Sequence, residues 1–229
     1  HAAECLVLQR LRGANFNDFT LALTALATRA LMLRASDEEG FRQVLALCHH
    51  RGSASLQLVS DFRAAERIAQ RSVPQLRDQD LVGIMLRHYS NGFARRDRTA
   101  ETAMLLAPAA SYFNHSCAPN ACQENSKGLE LRFWALEDIL AGVPVYISYV
   151  DIPRKSSDAL SRADGRRAML QEHYFFHCTC MLCEGPRHGS CTRWARARLC
   201  TGEGLCSKRG FLVPQGTSRW CCLCLQMKS

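Results

Sequence analysis

Cysteine spacing is the feature of this sequence that most directly indicates chemistry. Thirteen of the 229 residues are cysteine, and nine of them fall between residues 178 and 224. Cys178, Cys180 and Cys183 place three thiols within six residues, and a tetrahedral zinc ion needs four such ligands. Cys117 is the preferred fourth ligand, so the spacing predicts a closed, structural zinc site. The alternatives for that fourth ligand are Cys122 and Cys191.

A second set of cysteines lies in the last thirty residues. Cys200 and Cys206 precede the segment GFLVP at 210–214, and Cys221 and Cys224 follow it. Two pairs that flank a short hairpin predict a small zinc ribbon, whose core is too small to fold without the metal. Cys221 is preferred over Cys222 because it gives CxxC spacing with Cys224. Four thiolates leave no open coordination position, so both sites are expected to be structural.

Composition sets the broad class of the protein. With 47% hydrophobic and 22% charged residues, the chain is expected to be globular. It has no apolar run near the roughly 18 residues of a membrane span and no signal peptide. These features predict a soluble intracellular protein, in which clustered cysteines more often bind metal than form disulfides. The formal charge of +8 would fall by about four with two zinc sites. Because the arginines are spread along the chain, direct nucleic-acid binding is not expected.

The first part of the chain has the pattern of a helical scaffold. Residues 15–90 carry apolar positions at helical spacing. Asn17 is a candidate N-cap for the first of these helices, and Ser36 with Glu39 forms a candidate capping box for the second. A third helix is predicted at about 53–70 and a fourth within 78–91.

Short strands are predicted after Gly92. Residues 121–124 and 129–136 alternate around NSKG at 125–128, which predicts a hairpin. The segment VPVYISYV at 143–150 predicts another strand because it is rich in Val, Ile and Tyr. A charged segment then becomes partly helical from about Ser161. The order of elements predicts an α+β fold.

The sequence NHSCAPN at 114–120 resembles the NHSCxPN signature of SET-domain protein lysine methyltransferases. YFFHCTC at 174–180 resembles the post-SET end of the same family, and the order of the two motifs also agrees. His1 and Cys5 match the HxxxC end of the zinc finger that interrupts the SET domain in the SET and MYND subfamily. The subfamily is therefore the closest resemblance, and it implies an incomplete zinc site at His1 and Cys5.

This resemblance implies a helical SET insertion, the C-terminal part of a SET β-core, a zinc-bound post-SET region and a zinc-ribbon-like tail. Family members carry a Gly-rich first SET segment before the finger, so this chain is expected to be a truncated form that lacks it. The implied segments are 1–5 (end of the MYND-type finger), 6–90 (helical insertion), 91–151 (SET core), 152–186 (post-SET) and 187–229 (ribbon-like tail).

The resemblance also implies the reaction and its residues. S-adenosylmethionine would be the cofactor, and its methyl group would pass to a lysine amine that an apolar, aromatic channel keeps unprotonated. Tyr149 and Tyr174 are the implied catalytic residues. The implied cofactor-binding residues are Asn114, His115, Phe176 and Asn91, and the implied channel residues are Phe93 and Phe113.

A protein that presents a lysine, histones included, is the expected partner, with about two structural zinc ions per chain. Residence in the nucleus, the cytoplasm or both is expected. The alternative to an enzyme is a catalytically inactive SET and zinc module that binds other proteins.

Overall fold

The computed structural model describes residues 2–96, 101–124, 130–152, 159–184, 195, 197–201, 210–225 and 227–228. These residues fall into two units. One unit consists of residues 1–93 and 106–111, and the other of residues 94–105 and 112–229. None of the helices in the described ranges has the length and hydropathy of a membrane span.

The first unit is a bundle of five helices. Their bounds are α1 Ala2–Gly13, α2 Asp18–Leu33, α3 Glu38–Ala46, α4 Leu56–Ser72 and α5 Leu81–Asn91. Helix α2 packs against α1, α4 and α5. The core between them contains Leu11, Leu23, Phe62 and Met85, all fully buried, as the helical periodicity of these segments predicts.

Two helix starts in this unit show how side chains set the bounds. Asn17 is the N-cap of α2, and its side chain accepts a hydrogen bond from the Thr20 amide at 2.8 Å, as predicted. The predicted capping box at Ser36 does not form. Instead Asp37 caps α3 by accepting from the Gly40 amide at 2.8 Å, and the Ser36 hydroxyl donates to the Leu33 carbonyl.

The described part of the second unit contains short strands, the helices α6 and α7, and a small sheet. Its elements are β2 Glu101–Leu106, β3 Asn114–His115, β4 Ala121–Gln123, β5 Phe133–Ala135, β6 Tyr146–Ile147, α6 Ala163–Tyr174, α7 Met181–Glu184, β7 Leu212–Gln215, β8 Ser218–Cys221 and β9 Met227–Lys228. Strand β1, Gly92–Arg96, pairs with β2. Strands β7, β8 and β9 form an antiparallel sheet.

The predicted hairpin and strand are both present in altered form. Strands β4 and β5 pair antiparallel, while the predicted turn at 125–128 lies outside the described residues. The segment 143–150 contains only the two-residue strand β6, which runs parallel to β3. Strand β6 is short because side chains take the backbone hydrogen bonds near its two ends. Asn120 bonds the Pro144 carbonyl and the Tyr146 amide, and the His115 ring accepts from the Tyr149 amide. These are backbone groups that a longer ladder would use.

Candidate functional site

The four cysteines Cys117, Cys178, Cys180 and Cys183 lie together in the second unit. Their sulfur atoms all lie within 4.8 Å of one another, and the Cys117 sulfur is 3.6 Å from that of Cys183 and 3.9 Å from that of Cys178. A tetrahedral zinc ion with bonds of about 2.3 Å would hold its sulfurs about 3.8 Å apart. The donor set and its spacing therefore fit a closed zinc site.

Local structure explains how the four sulfurs meet. Cys117 follows strand β3, and Cys178 and Cys180 lie in the turn between α6 and α7. Backbone amides of Cys183 and Glu184 both donate to the Cys180 carbonyl, at 2.8 and 3.0 Å, so the chain turns tightly around the sulfurs. Phe175, the C-cap of α6, has a left-handed φ of 64° and turns the chain out of the helix just before these ligands.

Hydrogen bonds among the four thiols shift their pKa values in opposite directions. Bonds from Cys117 and Cys178 lower the pKa of Cys180, and lower the pKa of Cys183 to about 6. The same set of bonds, with burial, raises the pKa of Cys117.

The second cysteine cluster contains Cys200, Cys221 and Cys224, whose sulfur atoms also lie within 4.8 Å of one another. The fourth predicted member, Cys206, lies outside the described residues. Cys222 points away from this group into an apolar cluster with Cys122 and Val213. The arrangement therefore favours Cys221 over Cys222, as the CxxC spacing predicts.

An aromatic group lies beside the first cysteine cluster. The ring centres of Tyr149 and Tyr174 are 4.8 Å apart, and the Tyr174 hydroxyl donates to the Tyr149 carbonyl at 3.3 Å. Phe176 lies 6.3 Å from the Tyr149 ring and 5.8 Å from the His115 ring. Tyr149, Tyr174 and Phe176 all pack against the apolar cluster around the cysteine ligands. The structure thus brings the predicted catalytic tyrosines together with two predicted cofactor residues.

The hydroxyl of Tyr149 has a defined hydrogen bond. It donates to the Phe113 carbonyl at 2.6 Å, and burial raises the pKa of Tyr149. The group therefore stays neutral at physiological pH, and its oxygen has only acceptor capacity left. Phe113 packs its own ring 4.8 Å from that of Phe133. Asn114 is exposed on β3.

His115 connects the two parts of the site. Its Nδ1 atom accepts from the Tyr149 amide at 3.0 Å, and its Nε2 atom lies 3.3 Å from the Cys117 sulfur. Burial lowers the pKa of His115 to about 4, so the ring is neutral and carries its proton on Nε2. That proton is directed at the sulfur. The sequence signal for this side-chain contact is the i, i+2 spacing, which places His115 and Cys117 on one face of an extended segment.

Arg166 is a functional residue that sequence reasoning missed. It is fully buried and its guanidinium contacts the Cys183 sulfur at 3.5 Å. The available signal was helical spacing, because Arg166 lies four residues before the buried Leu170 and so shares the core face of α6.

Three further predicted residues belong to the first unit. Asn91 is in the first unit, where its amide donates to the Cys48 and Arg87 carbonyls at 2.9 and 2.8 Å. Phe93 also belongs to that unit. Cys5 is exposed on α1 and joins no metal-type cluster among the described residues, and His1 lies outside them. The roles predicted for these residues stay predictions.

Comparison with known proteins gives the class of this site. The SET domain family model matches residues 29–150, more than half of the chain, and this range contains the NHSC segment and Tyr149. The chain belongs to the SET domain family.

Its relatives include SET and MYND domain-containing proteins. One from Dictyostelium discoideum is 36% identical over 80 residues, which are 35% of this chain and 17% of the relative. The histone-lysine N-methyltransferase SMYD3 of Mus musculus is 34% identical over 84 residues, 37% of this chain and 18% of the relative. The protein-lysine N-trimethyltransferase SMYD5 of Gallus gallus is 29% identical over 193 residues, which are 77% of this chain and 42% of the relative. The chain thus spans less than half the length of these relatives.

Proposed function

We propose that this chain is part of an S-adenosylmethionine-dependent protein lysine N-methyltransferase of the SET and MYND type. The observation that carries the proposal is the pairing of Tyr149 with Tyr174 beside the cysteine cluster, in a chain whose SET-family match includes Tyr149. Two of the relatives are named lysine methyltransferases. One of those names specifies histone lysine, so a histone peptide is the first substrate to test.

The tyrosines would act on the lysine amine. The Tyr149 oxygen, whose proton is committed to the Phe113 carbonyl, accepts from an amine N–H and so orients its lone pair. The Tyr149 and Tyr174 rings form an aromatic wall that excludes water, which disfavours the lysine ammonium and lowers the pKa of the amine. The proton is thereby lost to solvent before transfer, and the neutral amine is the nucleophile.

The cofactor supplies the methyl group when it is bound. Asn114, His115 and Phe176 would hold it: the exposed Asn114 amide as a hydrogen-bonding group, the His115 main chain beside the adenine, and the Phe176 ring packed on the adenine. The half-buried Phe176 ring beside His115 fits a flat heterocycle. We propose Asn91, Phe93 and Phe113 as further cofactor and channel residues.

The cysteine clusters would hold structural zinc. The first, with its post-SET position after α6, would fix the segment that carries Tyr174 and Phe176 against the segment that carries Asn114 and His115. The second would form the zinc ribbon, with Cys206 as its fourth ligand. Zinc would therefore preorganise the site without entering the chemistry.

Zinc content and cofactor affinity test this proposal together. Elemental analysis of the purified protein is expected to give about two zinc ions per chain, and Cys180→Ser is expected to lose one of them along with affinity for S-adenosylmethionine in calorimetry. Cys48→Ser, at an exposed cysteine that belongs to no predicted metal site, is the control and should change neither. Unchanged cofactor affinity in Cys180→Ser would contradict the positioning role of zinc.

Methyl transfer to a histone peptide is the test of activity. Tyr149→Phe keeps the ring and removes the oxygen proposed to orient the amine, so it should retain the cofactor but lose most of the turnover, in this chain or in the full-length gene product that contains it. If the full-length protein binds the peptide and transfers no methyl group, the interaction module replaces the enzyme as the better account.

A further inference from the structure

Arg166 places a permanent positive charge in the core of the second unit. The residue has no exposed surface. Its Nη1 atom donates to the Leu160 and Ser161 carbonyls at 3.0 and 2.9 Å. Its Nη2 atom donates to the Leu182 carbonyl at 2.9 Å and contacts the Cys183 sulfur at 3.5 Å.

The guanidinium has no carboxylate partner in the described part of the chain. In every ion pair found in that part of the chain, the basic partner is an arginine other than Arg166. Neutral carbonyls satisfy hydrogen bonds but carry no compensating charge, and an isolated buried charge is costly. The groups that can compensate it are the sulfurs. The Cys183 sulfur lies 3.5 Å from the Arg166 Nη2 atom.

Charge counting shows why this arrangement suits a metal centre. A zinc ion with four thiolates carries a net charge of −2, which is itself unfavourable in an apolar core. One guanidinium in contact with a ligand sulfur halves that charge. The cation and the metal centre therefore each remove a burial cost that the other would have alone.

We propose that Arg166 is the counter-cation of the first zinc centre: it donates a charge-assisted hydrogen bond to the Cys183 thiolate and strengthens zinc binding. This inference rests on the zinc site proposed above. Because Arg166 also bonds the turn before α6 and the Leu182 carbonyl in α7, it fixes the orientation of a ligand without coordinating the ion. Arg166 is thus a positioning residue.

A neighbouring arginine provides a matched control. Arg167 donates to the Cys178 carbonyl at 2.9 Å and pairs with Glu184 at 3.5 Å, but among the described residues it makes no hydrogen bond to a sulfur. It tests whether any arginine near the ligands has the same effect.

Zinc affinity, measured by competition with a chelator, is the test. Arg166→Met keeps a long apolar side chain and removes the charge, and it should weaken zinc binding about 10- to 100-fold, the usual effect of losing a partner of a ligand. Arg166→Lys keeps the charge without the planar geometry and should recover part of the loss. Arg167→Met should stay close to the wild type. A purely structural Arg166 would lower folding stability by the same amount in zinc and in chelator, and leave the zinc affinity unchanged.

A measurement on the wild-type protein covers the case in which the variants do not fold. With cadmium-113 in the site and nitrogen-15 in the arginines, a scalar coupling between the metal and an Arg166 guanidinium proton is expected through the sulfur. Ordered ligands with no such coupling would overturn the inference. A wild type that takes up no zinc or cadmium at this site would refute the zinc proposal as well, whereas normal zinc affinity in Arg166→Met would refute the inference alone.

Discussion

The buried histidine of α5 should make the stability of the protein depend on pH. His88 is 3% exposed, and its two ring nitrogens have no hydrogen-bond partner within the described residues. Burial lowers the pKa of His88 from 6.5 to about 4. The unfolded chain therefore binds a proton on this residue below pH 6.5, while the folded chain resists it until about pH 4.

The size of the effect follows from the two pKa values. One pKa unit is worth about 1.4 kcal/mol, so between pH 7.5 and pH 4.5 the folded state should lose about 2.5 kcal/mol of stability through His88. The contribution is fully present above pH 6.5 and is lost as the pH falls. Because total stabilities are usually about 5–15 kcal/mol, a loss of this size is measurable.

Denaturant unfolding of the wild type and of His88→Leu at the two pH values measures the difference. The variant should lose about 2.5 kcal/mol less than the wild type on acidification, since leucine does not titrate. At pH 7.5 it should be at least as stable, because it removes two buried nitrogens without partners. Both proteins share the cysteine clusters and His115, so acid effects on those groups cancel in the comparison. Equal acid sensitivity of the two proteins would refute the reasoning.

Two further substitutions test the packing of each unit. A Cβ atom on Gly210 would overlap the Cys221 sulfur, so Gly210→Ala should remove the metal from the second cluster, measured as loss of about one zinc ion per chain. Gly52→Ala, with nothing within 4 Å of the new atom, should retain all of it. In the helical unit, Arg29→Ala leaves the buried Glu4 carboxylate without the bidentate partner that bonds it at 2.6 and 3.2 Å. It should lower the free energy of unfolding by about 1–3 kcal/mol, and calorimetric unfolding that shows no change would contradict the assigned ion pair.

The helices and the first cysteine cluster were largely predictable from the sequence because their signals are local. Asn17 caps its helix as its residue type predicts. At Ser36 the prediction was wrong because the neighbouring Asp37 offers a carboxylate that reaches the Gly40 amide. CxCxxC spacing indicated a shared ion with Cys117 as the preferred fourth ligand, and the structure brings the sulfur of this distant cysteine to the other three.

Features that depend on distant partners were less predictable. The length of β6 depends on whether Asn120 and His115 take its backbone groups, which spacing along the chain does not reveal. Arg166 was missed for a related reason. An arginine is normally a surface residue, and the sulfur that the guanidinium contacts belongs to Cys183 in α7, 17 residues away along the chain.

The contacts around His115 indicate how the cysteine cluster and the aromatic site depend on each other. The ring accepts from the Tyr149 amide on one side and faces the Cys117 sulfur on the other. Tyr149 and Tyr174 pack against the apolar cluster that contains three of the four cysteines, and Cys180 packs against the same cluster. Without a bound metal ion, nothing would hold the four sulfurs at tetrahedral spacing, and Cys117 could then move away from His115. Since the position of the Tyr149 backbone depends on that ring, the free energy of metal binding is expected to stabilise the aromatic site as well as the fold.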